Sequence, residues 1–156
     1  MRIFLLLLFS NLLLFNCDSL AQKKEETSYN VTKSDDEWKS MLTEKEYYVM
    51  RLEGTEPAFS SNLNFKKDSG IYVCKGCDIP LFRSNDKYDS GSGWPSFFKT
   101  IDENVSYSVD YKIGYARTEE HCSNCGSHLG HVFNDGPKPT GKRHCINGVA
   151  LKFIPN

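Results

Sequence analysis

The stretch VSYSVDYKIGYARTEEHCSNC, residues 105–125, decides what kind of architecture this chain builds. Val105-Ser106-Tyr107-Ser108-Val109 and Lys112-Ile113-Gly114-Tyr115 are short apolar or β-branched runs bounded by Asn, Asp and Gly, the pattern of strands. Cys122-Ser123-Asn124-Cys125 closes the stretch with a turn that presents two thiols. Outward from it the same texture recurs at Ile71-Tyr72-Val73 and over 149–154. Strands and helices do not alternate regularly and no glycine-rich phosphate loop follows a strand, which excludes a nucleotide-binding α/β fold. The prediction is an α+β domain, mainly antiparallel β.

The 156 residues carry 19 Lys plus Arg against 20 Asp plus Glu, a balance with no basic stripe for a nucleic-acid partner. Hydrophobics at 39% and aromatics at 13% supply a packed core for one domain. At the N-terminus an apolar run follows Met1-Arg2 and ends near Ser19-Leu20-Ala21, so residues 1–21 read as a signal peptide and the protein as exported, periplasmic or secreted. Lipid attachment at Cys17 is the competing outcome, disfavoured by Asn16 before it. Residues 22–33 are polar and read as a flexible lead-in to a domain over 34–156. Ser34-x-x-Glu37 and Thr43-x-x-Glu46 have capping-box spacing, so two short helices open the domain, the second stopping near Gly54.

Two C-x-x-C pairs, Cys74/Cys77 and Cys122/Cys125, stand 44 residues apart, each followed by a leucine four positions on, Leu81 and Leu129. Four thiolates complete a tetrahedral zinc shell with no open position, so one structural Zn2+ would staple distant parts of the domain. Two disulfides are the alternative that an oxidising compartment permits. A redox-active pair fits less well, since neither lies at a strand-to-helix junction of a βαβ unit.

Cys145 is left over. On a strand, Arg143, Cys145 and Asn147 share a face, and a guanidinium beside a thiol favours the thiolate, the reactive form. His128 and His131 follow the second cysteine pair and read as hydrogen-bonding or proton-transfer groups, or as structural rings bonded to backbone. In Gly91-Ser92-Gly93-Trp94-Pro95-Ser96-Phe97-Phe98 the aromatic rings either close the core or offer Trp94 as a pocket wall for a small apolar group such as a methyl.

Together these residues resemble the methionine-R-sulfoxide reductases, the B class of sulfoxide-repair enzymes. The resemblance rests on Gly-Thr-Glu-Pro at 54–57, the two cysteine pairs, Tyr88-Asp-Ser-Gly-x-Gly-Trp-Pro-Ser-Phe97, His128-Leu-Gly-His131-Val-Phe133-x-Asp135-Gly-Pro137, Thr140-Gly141 and Arg143-x-Cys145-Ile-Asn147. It spans about residues 34–154. It implies two antiparallel sheets packed like a tent, a four-cysteine zinc site remote from the active site, and specificity for the R epimer in peptides and proteins. It further implies that Cys145 attacks the sulfoxide sulfur and becomes a sulfenic acid. His131 would donate a proton, helped by His128 and Asn147. Arg143 would hold the thiolate, Asp135 would orient the histidines, and Trp94 would receive the methyl group and with Phe133 bind the substrate.

Many family members carry a resolving cysteine where this chain has Ser92, so an external thiol or thioredoxin-like reductant must reduce Cys145. The protein is expected to act as a monomer. Two other readings stay open: a zinc-stapled binding module with an inert Cys145, and a cysteine hydrolase built on Cys145 and a histidine, for which no oxyanion-hole motif is visible.

Overall fold

The computed structural model describes residues 28–101 and 103–156. The expected signal peptide, Cys17 and residues 22–27 lie outside the described residues. Two helices lead, α1 (Asp35–Met41) and α2 (Glu44–Leu52), each opened by a complete capping box, Ser34 with Glu37 and Thr43 with Glu46. Helix α1 buries Trp38, and α2 buries Val49 and Met50. The left-handed residue that ends α2 is Glu53 (φ 54°), not Gly54 as the sequence suggests. Gly54 serves another purpose: a Cβ there would stand 2.2 Å from the Tyr48 ring.

Among the described residues nine strands follow, all paired antiparallel. The strands β1 (Gly70–Cys74), β2 (Pro80–Arg83) and β9 (Leu151–Pro155) make a three-stranded sheet in the order β2-β1-β9. The other six are β3 (Lys87–Tyr88), β4 (Ser96–Phe97), β5 (Val105–Asp110), β6 (Arg117–Cys122), β7 (His128–Phe133) and β8 (Arg143–Ile146). They form a second sheet in the order β3-β4-β8-β7-β6-β5. The run 112–115, read above as a strand, is instead the exposed turn between β5 and β6, with Gly114 at φ 86°. Its apolar residues face solvent, and burial rather than period is what makes a strand of such a run.

Aromatic rings join the two sheets. Phe82 of β2 stacks on Phe97 of β4 with centroids 4.4 Å apart, and Tyr72 of β1 meets Phe97 edge-on at 4.9 Å. Leu81, Leu129 and Ile146 fill the space around them and are fully buried. Each such side chain contributes roughly 1.5–3 kcal/mol on burial.

The cysteine pairs occupy matching turns. Cys74 accepts at its carbonyl from Asp78 N–H and donates its own N–H to Ile79, and Cys122 does the same with Gly126 and Ser127, every bond 2.9 Å. Asp78 and Gly126 take the left-handed conformation at φ 60° and 69°. Part of the expected lead-in packs against the second turn. Val31 N–H donates to Asn124 O at 2.9 Å, and the Tyr29 ring covers Gly126.

Candidate active site

Cys145 lies in β8, opposite Ser96 of β4 on one side and His131 of β7 on the other. That position is possible because β7 carries Gly130: a Cβ at 130 would stand 2.0 Å from the Cys145 carbonyl oxygen. The expected alternation holds, in that Cys145 and Asn147 line one cavity of about 130 Å3 while His144 and Ile146 are buried on the other face. Trp94, His131, Phe133, Arg117 and Thr55 complete its walls. A larger surface depression of about 940 Å3, beside Phe65, Lys66 and Phe153, has no cysteine or histidine in its lining. The aromatic loop is divided between both of its predicted uses, with Phe97 in the core and Trp94 at the cavity.

A buried hydrogen-bond chain fixes the cavity floor. Trp94 Nε1–H donates to Glu56 O at 3.0 Å, Glu56 N–H donates to Asn147 Oδ1 at 2.9 Å, and Asn147 Nδ2 donates to Leu129 O at 3.0 Å. The Glu56 carboxylate accepts from Gly148 N–H. Asn147 is therefore a brace between the 54–57 loop and β7 that retains one amide hydrogen for a ligand.

Burial pushes the Cys145 thiol above its ordinary value of 9.0, and the opposing pull of the Ser92 hydroxyl and of the Arg143 charge does not offset it. Burial thus works against the standing thiolate that Arg143 alone would favour. Ser92 Oγ lies 3.7 Å from Cys145 Sγ, at the end of a hydroxyl chain through Ser90 to Ser96 with O–O distances of 2.8 and 2.7 Å.

Asp135 was expected to orient the histidines. Its carboxylate instead grips Arg143 through two bonds, Nε–Oδ1 at 2.8 Å and the terminal nitrogen to Oδ2 at 2.9 Å, with the guanidinium 4.4 Å from the Phe133 ring centroid. The histidines take other acids. His131 Nε2–H donates to Asp110 Oδ2 at 2.8 Å, His128 Nδ1–H to Glu119 Oε1 at 2.5 Å, and His144 Nδ1 meets Glu120 Oε1 at 2.6 Å. Burial acts to raise the Asp110 carboxyl, but Lys112 N–H, His131 and Arg117 outweigh it and hold it at about 2. Desolvation lowers His131, against the pull of Asp110. His131 is neutral near pH 7 with its Nε2 proton engaged, which leaves Nδ1 as a proton acceptor. His128 does not line the cavity. It lies behind His131, rings edge-on at 5.5 Å, with its own Nε2 buried and unpartnered among the described residues.

The four cysteine sulfurs converge. Cys74 Sγ and Cys125 Sγ are 3.7 Å apart, Cys77 Sγ and Cys122 Sγ 3.5 Å, and all four lie within 4.8 Å of one another. Sulfurs bound tetrahedrally at about 2.3 Å to one ion stand about 3.8 Å apart, so the cluster fits a metal ion and not disulfides, and every described cysteine is a free thiol.

Residues 42–155 match the SelR domain family. The chain is 52% identical over 127 residues to the peptide methionine sulfoxide reductase MsrB of Leptospira interrogans, covering 81% of this chain and 97% of that protein. It is 52% identical over 124 residues to the MsrB of Methanosarcina barkeri, covering 79% and 87%. To the mitochondrial methionine-R-sulfoxide reductase B3 of Mus musculus it is 46% identical over 133 residues, covering 85% and 53%.

Proposed function

The chain belongs to the SelR domain family and is an oxidoreductase that reduces methionine-R-sulfoxide in peptides and proteins, and we propose that Cys145 is its nucleophile and His131 its proton carrier. The observation that carries this reading is one small cavity holding a lone thiol, a neutral imidazole and an indole wall. Cys145 Sγ bonds to the sulfoxide oxygen's sulfur centre as His131 Nδ1 takes the thiol proton. The imidazolium so formed, stabilised by Asp110, returns that proton to the sulfoxide oxygen. The oxygen then passes from the substrate sulfur to Cys145 as both the substrate S–O bond and the newly formed S–S bond break, giving methionine and a sulfenic acid. Arg117, beside Asp110 on the cavity wall, places positive charge near that oxygen. Trp94 and Phe133 offer apolar surface to the methyl group.

Regeneration takes two equivalents of an external thiol: the first displaces hydroxide from the sulfenic sulfur, which leaves as water, and the second releases Cys145 as the outside disulfide forms. The four other described cysteines support this, because all are gathered in the metal cluster. We assign that cluster one structural Zn2+, on the strength of its all-thiolate donors and closed shell. The apolar N-terminal run supports export, with repair of oxidised exported proteins as the task.

The deciding experiment gives separated R and S epimers of a methionine sulfoxide peptide to the protein from Gln22 onward, with dithiothreitol. Methionine is expected from the R epimer alone and not with Cys145→Ser. Turnover that survives Cys145→Ser, or that ignores the epimer, would overturn the assignment.

A further inference from the structure

A cavity of about 130 Å3 admits a side chain, well below the roughly 300–1,000 Å3 of pockets that enclose whole ligands, so the residues flanking a methionine sulfoxide must lie on the rim. That rim is apolar. The turn between β5 and β6 exposes Tyr111, Ile113 and Tyr115, and its two ends are Asp110 and Arg117, the pair beside the cavity. Lys112 of the same turn ties it to the end of α2, with Nζ on Leu52 O at 3.3 Å and Glu53 Oε2 at 2.5 Å. Leu52 there is exposed, three residues from Thr55 in the cavity wall. On another segment Phe59 is exposed and bonds through its N–H to Gly93 O at 2.7 Å, next to Trp94.

These five side chains are 51–67% exposed and come from three separate segments, each adjoining a residue of the cavity wall in sequence or by a hydrogen bond: Arg117, Thr55 and Trp94. A single exposed apolar residue is ordinary, whereas a group on segments that adjoin one cavity marks an interaction surface. The charges among them are internally paired, Lys112 with Glu53 and Arg117 with Asp110, which leaves a partner mainly apolar contact.

We infer that Tyr111, Ile113, Tyr115, Leu52 and Phe59 form a docking collar for the polypeptide on either side of the oxidised methionine, and that it selects segments rich in apolar residues, as exposed by unfolding. The inference rests on the reductase reading of the cavity and adds what surrounds it. The occupant follows from continuity with the cavity, since a chain whose side chain enters it has to cross this rim.

The test uses two ten-residue peptides with a central methionine-R-sulfoxide, one flanked by Leu, Val and Phe and one by Gly and Ser, beside N-acetyl-methionine-R-sulfoxide, which fills the cavity alone. The unaltered protein is expected to favour the apolar peptide by about tenfold in kcat/KM, through KM. Tyr111→Ser/Ile113→Ser/Tyr115→Ser is expected to abolish that preference and leave turnover of the N-acetyl substrate unchanged, which also reports that the variant folds. Equal use of the two peptides by the unaltered protein, or equal loss on the N-acetyl substrate in the variant, overturns the collar. Apolar preference that persists in the variant, with vesicle binding or self-association lost instead, overturns it in favour of a lipid surface or a second copy. Fluorescence anisotropy of both peptides on Cys145→Ser protein reads docking without chemistry. A preference there with no turnover by the unaltered protein would sink the reductase mechanism and keep the collar.

Discussion

The acidity of Cys145 is set by burial against two weaker opponents, the Ser92 hydroxyl and the Arg143 charge. A thiol whose value is raised above 9.0 is protonated at neutral pH and gains nucleophilic form only as pH climbs past that point. Iodoacetamide should therefore label Cys145 more slowly at pH 7 than an ordinary thiol, with a rate that keeps rising beyond pH 9, the opposite of what Arg143 alone suggested. Ser92→Ala and Arg143→Ala should each move this profile to still higher pH, Ser92→Ala while retaining dithiothreitol-driven turnover. Fast labelling at neutral pH would refute the assignment of burial as the dominant force. Cys145 could be singled out in the sequence because, with Cys17 set aside in the N-terminal apolar run, it is the cysteine outside two regular pairs. Asp110, Glu119 and Glu120 were not, since each finds its histidine across strands. Asp110 reaches from β5 to β7 over β6, and the bulge at Glu120/His121 shifts the register that any alternation would assume.

Between elements, the closest approach under the site is that of β7 to β8 at Gly130, where even a methyl group meets the Cys145 carbonyl. Gly130→Ala should cost about 1–3 kcal/mol as the strands separate, and should lower turnover because Cys145 moves with its backbone. Thermal unfolding and activity on one sample check this, and an unchanged pair of values would mean that the strands part without consequence. Helix starts and cysteine turns could be read because side chain and spacing state them locally. The end of α2 could not: a left-handed Glu53 is tolerated for tertiary reasons, with Gly54 beneath Tyr48 and Lys112 on the Glu53 carboxylate. The turn 112–115 carried strand-like residues because its apolar side chains face outward.

For the whole molecule, the four-cysteine cluster joins the end of β1 in one sheet to the β6–β7 connection in the other. Zinc binding in such small sites supplies on the order of 10 kcal/mol of folding free energy, so its removal reaches both sheets. Protein stripped by a strong chelator should lose tens of degrees in Tm, roughly, together with its activity, and both should return with one zinc per chain. An unchanged Tm would show that aromatic packing alone holds the sheets. The chain enters the fold through Tyr29 and Val31 on the turn just after Cys122, whereas Arg117 and the mouth lie at the other end of β6, about 17 Å away along a six-residue strand. The Tyr29–Val31 end is thus the heel of the domain, and a surface or label coupled there would leave the working end open to its client chain.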